Sequence, residues 1–266
     1  KRLWGYMLGF ILFYAPMAYL PKLVYYLLYG KWLDMTVHSI CFRIPLEHLV
    51  DGRLLRYSSI SIGGMLILLI IAFFFGPIFC GKLCPAGAFT EYLSYLIPER
   101  FKIDWSKYVD ITPIRYGILT GYLLLPLFGG VVACSYCNYY VFDLLVNFYL
   151  QGYFVSLNTS LLLNLLLWFL VLGVFTKGGR DYCNFMCPVG AIQNIFHYIG
   201  SKIGCAYAVR FNKDKCVGCG KCVANCPMKS ITIKDNKAQN SIHNCIICGE
   251  CIHNCTVKAI EYRREK

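Results

Sequence analysis

The chain has 266 residues, of which 58 % are hydrophobic, 16 % aromatic and only 15 % charged. Soluble proteins have about 25 % charged and about 45–50 % apolar residues, so this composition excludes an ordinary soluble domain and indicates a membrane protein. The formal net charge of +12 does not indicate a nucleic-acid partner. The basic residues are spread between apolar runs, where the cytoplasmic loops of membrane proteins collect Lys and Arg.

Four apolar runs are long enough to cross a bilayer, which takes roughly 20 residues per helix. They cover residues 4–29, 59–79, 114–133 and 157–176. The first run contains Pro16, Pro21 and Lys22, so we expect it to be kinked. A further apolar segment at 139–156 is interrupted by Asp143, Asn147 and Gln151, and it is predicted as an interfacial or re-entrant stretch on the outer side.

With four spans, both termini and the loop between the second and third spans lie on one side of the membrane. Up to Lys202, that side carries ten Lys and Arg residues, and the two opposite loops carry four. The positive-inside rule then predicts a multi-pass protein of a prokaryotic cytoplasmic membrane, with both termini in the cytoplasm. A fifth span at 139–156 would reverse this topology.

A cysteine motif follows the second and fourth runs. Cys80 and Cys84 belong to the first copy, C-G-K-L-C-P-A-G-A, and Cys183 and Cys187 to the second, C-N-F-M-C-P-V-G-A. Two hairpins that each end in this motif form a parallel repeat, which brings four thiols together across the repeat axis. Four thiolates are what a 4Fe-4S cluster requires. The alternative is that each pair caps a helix end as small buried thiols.

The tail beyond residue 204 is polar and holds two further cysteine runs. Their C-x2-C-x2-C-x3-C spacing is the ligand pattern of a two-cluster bacterial ferredoxin. In that pattern the last cysteine of each run serves the other cluster. The first predicted ligand set is Cys216, Cys219, Cys222 and Cys255, and the second is Cys245, Cys248, Cys251 and Cys226.

Zinc sites and disulfides are the two alternatives to clusters in the tail. Paired C-x2-C motifs also build zinc sites, and cysteines can form disulfides. Eight thiols at this spacing, with Pro227 after the first run, favour clusters over zinc, and a reducing compartment disfavours disulfides. Thr256 stands where a proline usually follows the second run, which alters a turn at most and removes no ligand.

A third group of chemically active residues lies on the predicted outer side: Cys41, Cys134 and Cys137, with His38 nearby. A helix of about 20 residues is roughly 30 Å long, so these thiols are expected far from the four motif cysteines. They are predicted either as a second metal or redox centre that passes electrons outward or as a disulfide or reversible dithiol with Cys41 left free.

Taken together, the four runs, the two C-x3-C-P motifs and the double ferredoxin run resemble the ferredoxin-type quinol-dehydrogenase membrane proteins of nitrate reduction and methylamine use. The membrane cores of nitrous-oxide-reductase regulatory proteins and of iron–sulfur proteins of cytochrome oxidase assembly are similar. The resemblance implies an all-α membrane domain of four transmembrane helices in two parallel hairpin repeats, at residues 1–204. It also implies a C-terminal α+β double-cubane bacterial-type ferredoxin domain, at residues 205–266.

The resemblance further implies an electron-transfer subunit of a respiratory complex, an oxidoreductase subunit without acid–base or nucleophilic catalytic residues. Its expected partners are other redox subunits, a cytoplasmic electron donor or acceptor, the lipid bilayer and a quinone. His48 and His197 could contact a quinone headgroup at an interface, but a lone histidine near a membrane surface is more commonly a structural residue. No nucleic-acid partner is expected. An assembly factor that reduces a metal for another enzyme, and a membrane redox sensor, remain as alternatives.

Overall fold

The computed structural model describes residues 2–14, 18–32, 41–49, 52, 59–128, 136–152 and 159–264. Its helices, in chain order, are α1 (Arg2–Phe13), α2 (Tyr19–Tyr29), α3 (Arg43–Glu47), α4 (Ser59–Phe75), α5 (Pro85–Ser94), α6 (Ile111–Leu124), α7 (Asn138–Gln151), α8 (Thr159–Leu165), α9 (Asp181–Phe185), α10 (Pro188–Lys202), α11 (Lys221–Ala224) and α12 (Glu250–His253). The strands are β1 (Tyr207–Phe211), β2 (Ile231–Lys234), β3 (Lys237–Asn240) and β4 (Ile260–Arg264).

The predicted apolar runs fold into helices. One of them, the continuous helical stretch Ile111–Phe128, is long and apolar enough to cross a membrane among the residues described. Arg2–Phe13, Ile60–Phe75 and Thr159–Val174 are apolar but shorter. The run at 4–29 divides into α1 and α2, in keeping with the expected kink, although residues 15–17 lie outside the described part.

The centre of the helical region is the packing of α10 against α4 and α6. Gly200 allows α10 to approach α4 closely, because a Cβ there would lie 2.2 Å from the carbonyl oxygen of Phe73. The short helix α3 enters the same core, where Leu46 packs with Met65 and Tyr122. Helix α3 is therefore buried in the bundle instead of lying on its surface.

Aromatic side chains build a second core from α1, α5, α7 and the π-helical turns at Leu166–Val174. Tyr14 and Trp168 are fully buried, and the ring of Phe142 on α7 stands at right angles to both. The segment expected to be interfacial or re-entrant thus forms helix α7, and one face of it is buried in the protein.

The C-terminal region is a small α+β fold. Strand β1 pairs antiparallel with β4, from Tyr207 opposite Arg264 to Phe211 opposite Ile260, and β2 forms a hairpin with β3. This region docks on the helical region. The Tyr262 hydroxyl donates to the Phe75 carbonyl oxygen at 2.8 Å, and the Tyr116 hydroxyl is 2.8 Å from Nδ1 of His243.

Candidate iron-sulfur sites

The two C-x3-C-P motifs adopt the same local structure. Cys84 precedes α5 with φ −76° and ψ 105°, and Cys187 precedes α10 with φ −82° and ψ 107°. In both motifs the following proline occupies the first turn of the helix, where its missing N–H costs no hydrogen bond. Each repeat therefore places one cysteine at the N-terminal cap of a helix, where partial positive charge favours a thiolate.

The structure brings the four motif cysteines to one cavity. Cys80, Cys84, Cys183 and Cys187 all line it. The repeats face each other closely, because a Cβ on Gly87 of the first motif would lie 3.2 Å from the sulfur of Cys183 in the second. Gln193 of α10 donates from Nε2 to the sulfur of Cys80 at 3.4 Å.

Three buried arginines also line this cavity: Arg43 is 5 % exposed, and Arg115 and Arg180 are each 1 % exposed. Arg180 is fully engaged: Nε donates to Glu91 at 2.5 Å, Nη1 to the Cys80 carbonyl at 2.7 Å and Nη2 to the Tyr6 hydroxyl at 2.8 Å. Its charge is matched by Glu91. Arg115 donates from Nη2 to Asn194 at 2.8 Å, and its Nε and Nη1 have no partner among the described residues.

The ferredoxin region contains two further cavities. The first is lined by one predicted ligand set, Cys216, Cys219, Cys222 and Cys255. The second is lined by the other set, Cys226, Cys245, Cys248 and Cys251. Each cavity thus collects three cysteines of one run and the last cysteine of the other, as the spacing predicts.

The turns that close the two cysteine runs are equivalent despite the difference at Thr256. Lys229 after the first run and Lys258 after the second both have φ 49°. The N–H of each donates at 3.3 Å to the carbonyl of the run's last cysteine, Cys226 or Cys255. The missing proline therefore leaves the turn unchanged.

Backbone N–H groups point at several of the sulfurs in the ferredoxin region. Ala259 donates to Cys255 at 3.2 Å, and Ala238 donates to Cys216 at 3.5 Å. The Ala238 donor lowers the pKa of the Cys216 thiol. Burial has the opposite effect on Cys245 and raises the pKa of its thiol to about 12. A buried thiol of that kind becomes a thiolate when a metal replaces its proton.

The thiols in all three cavities suit a cluster better than a single metal ion. Among the described residues no three His, Cys, Asp or Glu side chains are close enough to hold one ion. A tetrahedral zinc site needs four ligands at about 2.0–2.3 Å from the metal, so its sulfurs must converge. Here at least four cysteines line each cavity, and four is the number of thiolates that a 4Fe-4S group requires.

One expectation about the outer cysteines is wrong. Cys41 was expected far from the motif cysteines, yet it lines the same cavity as they do. The reason is that Cys41 leads into the buried helix α3, which packs inside the bundle. Cys137 is 2 % exposed, caps α7 and accepts a hydrogen bond from the Tyr140 N–H at 3.4 Å. Cys134 and His38 lie outside the described residues, so the metal centre that includes them stays a prediction.

The count of basic residues on each side of the membrane is also wrong for three arginines. Arg115 and Arg180 were counted as cytoplasmic charges, and Arg43 as an outer-loop charge, but all three are buried in the bundle. Eight basic residues against three still favour the same orientation. The sequence analysis did not identify Arg115 as a candidate functional residue. A signal was present, because an ionisable residue inside an apolar span indicates a functional site more often than it indicates topology.

The two histidines suggested for a quinone are buried. The ring of His197 is within hydrogen-bond distance of the Tyr207 carbonyl, with Nε2 at 3.0 Å from the oxygen, so it links α10 to the first strand of the ferredoxin region. His48 is 5 % exposed at the end of α3. His197 therefore makes a structural contact.

Comparison with known proteins agrees with this geometry. A family model described as a 4Fe-4S binding domain matches the chain twice, at residues 60–104 and 160–204, and a 4Fe-4S dicluster domain matches residues 208–256. Both matched copies of the first model contain one C-x3-C-P motif. The repeat is therefore a duplication of one iron–sulfur-binding segment. No solved structure matches the chain significantly.

Several relatives among known proteins support the same assignment. The uncharacterized protein MJ0749 of Methanocaldococcus jannaschii is 30 % identical over 85 % of this chain and 79 % of its own length. The putative electron transport protein YccM of Escherichia coli is 24 % identical over 68 % of this chain, which spans half of YccM. The methylamine utilization ferredoxin-type protein MauN of Paracoccus denitrificans is 27 % identical over 68 % of this chain and 58 % of its own length.

The fold, the cysteine cavities and the matched domains define an iron–sulfur electron-transport protein of the ferredoxin type. The chain belongs to the family of ferredoxin-type polyferredoxins that also includes MJ0749, YccM and MauN. It has a mostly helical N-terminal region with one candidate span and a small ferredoxin-like C-terminal region.

Proposed function

We propose that the chain is a membrane-bound electron-transfer subunit. It relays electrons between a cytoplasmic donor at the ferredoxin region, or the quinone pool, and an acceptor in the membrane or on its outer side. The proposed ligands are the two ferredoxin sets and a third set of Cys80, Cys84, Cys183 and Cys187. When bound, the clusters supply one-electron redox chemistry, and the protein provides their ligands, burial and spacing.

One observation carries the proposal: two side chains line both the second ferredoxin cavity and the motif-cysteine cavity. These are Ile246, between Cys245 and Cys248, and Met228, just after Cys226. Ile246 is 3 % exposed and Met228 is 1 % exposed. The two sites are thus separated by one layer of apolar side chains that excludes water, which suits direct electron exchange between them.

We further propose that residues 1–204 cross a prokaryotic cytoplasmic membrane four times, in two parallel hairpin repeats, and that residues 205–266 lie in the cytoplasm. The surface of α4 supports this arrangement. Leu66, Ile67 and Ile70 are each at least half exposed, which in water would be a large unpartnered apolar face. Lipid tails would cover such a face.

An outward exit for electrons is proposed at Cys41. It lies on the wall of the motif-cysteine cavity, and Cys137 is close enough for the charge on one thiol to influence the other. A redox centre at these cysteines would link the cavity to the opposite side of the helical region. Its acceptor would belong to another redox subunit.

The proposal is tested by anaerobic iron analysis and EPR spectroscopy of the detergent-solubilised chain. We expect about twelve iron atoms per chain, falling to about eight in a Cys80→Ser, Cys187→Ser double variant, because each cubane holds four. Cys205 belongs to none of the ligand sets, so a Cys205→Ser variant is the matched control and should retain the wild-type iron content. Eight iron atoms in both the wild type and the double variant would contradict the membrane site.

The relay itself needs a kinetic test on the same protein. A pre-reduced low-potential donor protein should reduce the ferredoxin signals first and the membrane signal afterwards. In the double variant the first phase should remain and the second should disappear. Reduction of the membrane signal at the same rate after removal of the ferredoxin ligands would exclude the proposed route.

A further inference from the structure

Arg115 is a fully buried cation without an anionic partner in the described residues. Among the described residues its only hydrogen bond is to the side-chain oxygen of Asn194, and two of its three nitrogen atoms have no partner there. Glu91, the carboxylate that pairs with Arg180, is also shared with Arg2. A buried unpaired charge is strongly destabilising, and one hydrogen bond to a neutral amide does not offset that.

A group bound in the motif-cysteine cavity would supply the anion that Arg115 lacks. Arg115 is one of its lining residues, together with the four motif cysteines. A Cβ on Gly190 would lie 3.0 Å from Nη2 of Arg115 and 3.9 Å from the sulfur of Cys187, so this glycine leaves the space in which guanidinium and thiol meet. Four thiolates around a cluster form an anionic group, and that group becomes more negative when it is reduced.

Asn194 fixes the position of the guanidinium and also holds the ferredoxin region. Its amide nitrogen donates to the Cys245 carbonyl at 2.8 Å and to the Ile242 carbonyl at 2.6 Å, while its oxygen accepts from Arg115. The asparagine is fully buried. A single side chain therefore connects Arg115 to the backbone of a proposed ligand of the second ferredoxin site.

We infer that Arg115 is the charge partner of the group held by the motif cysteines, that it raises the reduction potential of that group, and that Asn194 positions it. The inference rests on the proposed function, because it needs a cluster in this cavity. The reduction concerned is the transfer of one electron from the second ferredoxin site, with no bond made or broken in the chain. A nearby positive charge favours the more negative, reduced state, so it favours electron flow from the ferredoxin region towards the cavity.

The test is an EPR-monitored redox titration of the full chain, with iron analysis of every sample. Arg115→Gln removes the charge and keeps hydrogen-bonding capacity. We expect it to keep about twelve iron atoms and to lower the reduced-to-oxidised ratio of the membrane signal at least tenfold at a fixed potential, which corresponds to 59 mV for a one-electron couple. The two ferredoxin signals should stay at their wild-type potentials.

Two further variants separate charge from structure. Arg115→Lys keeps the charge and should restore most of the wild-type potential, while Arg100→Gln removes an equal charge from the exposed surface and should change none of the three potentials. If Arg115→Gln loses the membrane iron, retention of that iron by Arg115→Lys would still support the charge role. Loss of the iron in both variants would overturn it.

The outcomes also distinguish this inference from the proposed function. A wild-type chain with about eight iron atoms would contradict both. A wild-type chain with about twelve, whose membrane signal keeps its potential in Arg115→Gln, would leave the proposed relay intact and overturn the role of Arg115 alone.

Discussion

Gly81 lies directly against Ile246: a Cβ added to Gly81 would be 2.1 Å from the Ile246 carbonyl oxygen. Gly81 follows the first cysteine of the first membrane motif, and Ile246 lies between two cysteines of the ferredoxin region. The two backbones therefore meet where two proposed cluster sites adjoin. Only a residue without a side chain permits this approach.

Gly81→Ala is expected to displace the ferredoxin region from the helical region. The new Cβ would clash with a backbone atom, the Ile246 carbonyl oxygen, which cannot move aside as the end of a flexible side chain can. Electron transfer from the ferredoxin signals to the membrane signal should slow by at least tenfold, measured by freeze-quench EPR, while the total iron content stays constant. Gly121→Ala is the matched control, since a Cβ on this helical glycine meets nothing within 4 Å. An unchanged transfer rate in Gly81→Ala would contradict the close contact.

In the ferredoxin region the last cysteine of each run lines the cavity of the other run. This arrangement predicts which EPR signal each cysteine variant alters. Cys226→Ser should alter the same EPR signal as Cys245→Ser, and Cys255→Ser the same signal as Cys216→Ser, because these pairs line common cavities. Each variant should leave the other ferredoxin signal in place. If Cys226→Ser instead alters the signal that depends on Cys216, each run holds its own cluster.

Glu91 is expected to stabilise the helical region through its two arginines. It is 1 % exposed and lies 2.5 Å from Nε of Arg180 and 3.0 Å from Nη2 of Arg2. Glu91→Gln leaves both cations without their shared carboxylate, and removal of one partner from a buried ion pair costs about 3–5 kcal/mol.

Thermal unfolding in detergent measures this cost. Glu99→Gln serves as the control, because Glu99 pairs with Lys102 at the surface, where its side chain is 72 % exposed. Exposed pairs contribute about 0–1 kcal/mol, so the control should shift the midpoint little. Equal shifts in the two variants would show that burial of Glu91 is not what makes its ion pairs stabilising.

The contact between His197 and the ferredoxin region predicts a dependence on pH. Burial lowers the pKa of His197, and the positive charge of Arg210 lowers it further, against the opposing effect of the Tyr207 carbonyl. The pKa of the folded state is thus below that of the unfolded state. The stabilising contribution is complete above the unfolded pKa of about 6.5 and is lost as the pH falls from that value through the lower pKa of the folded state, because the unfolded chain then binds the proton more readily.

Unfolding midpoints measured between pH about 8 and about 5.5 should therefore fall towards acid in the wild type. His197→Gln cannot take up the proton and should show a smaller fall. His253 is exposed on the ferredoxin region, so His253→Gln should behave like the wild type. A fall of the same size in His197→Gln would assign the acid sensitivity to other groups.

Much of the site could be predicted because cysteine spacing is local information. The runs at 216–226 and 245–255 specify short turns, and the structure collects their cysteines in the two cavities that the spacing indicates. The repeated C-x3-C-P motifs likewise specify matching helix starts at Cys84 and Cys187. Each of these features depends on a few consecutive residues.

The parts that could not be predicted depend on contacts between distant segments. Cys41 was misplaced because helix lengths alone do not reveal that α3 packs inside the bundle. Arg115 was interpreted as a loop charge because its partner, Asn194, is 79 residues away in the sequence. The contact of Gly81 with Ile246 joins the two regions of the chain, and neither segment indicates the other by its own pattern.

The matching conformations of Cys84 and Cys187 have a consequence for the ancestry of the fold. Each copy of the duplicated segment contributes two of the four cavity thiols, so a chain with a single copy would have half a binding site. Two such chains related by a twofold axis could complete it as a homodimer. Gene fusion would then turn a symmetric assembly into one polypeptide, which frees each half to diverge.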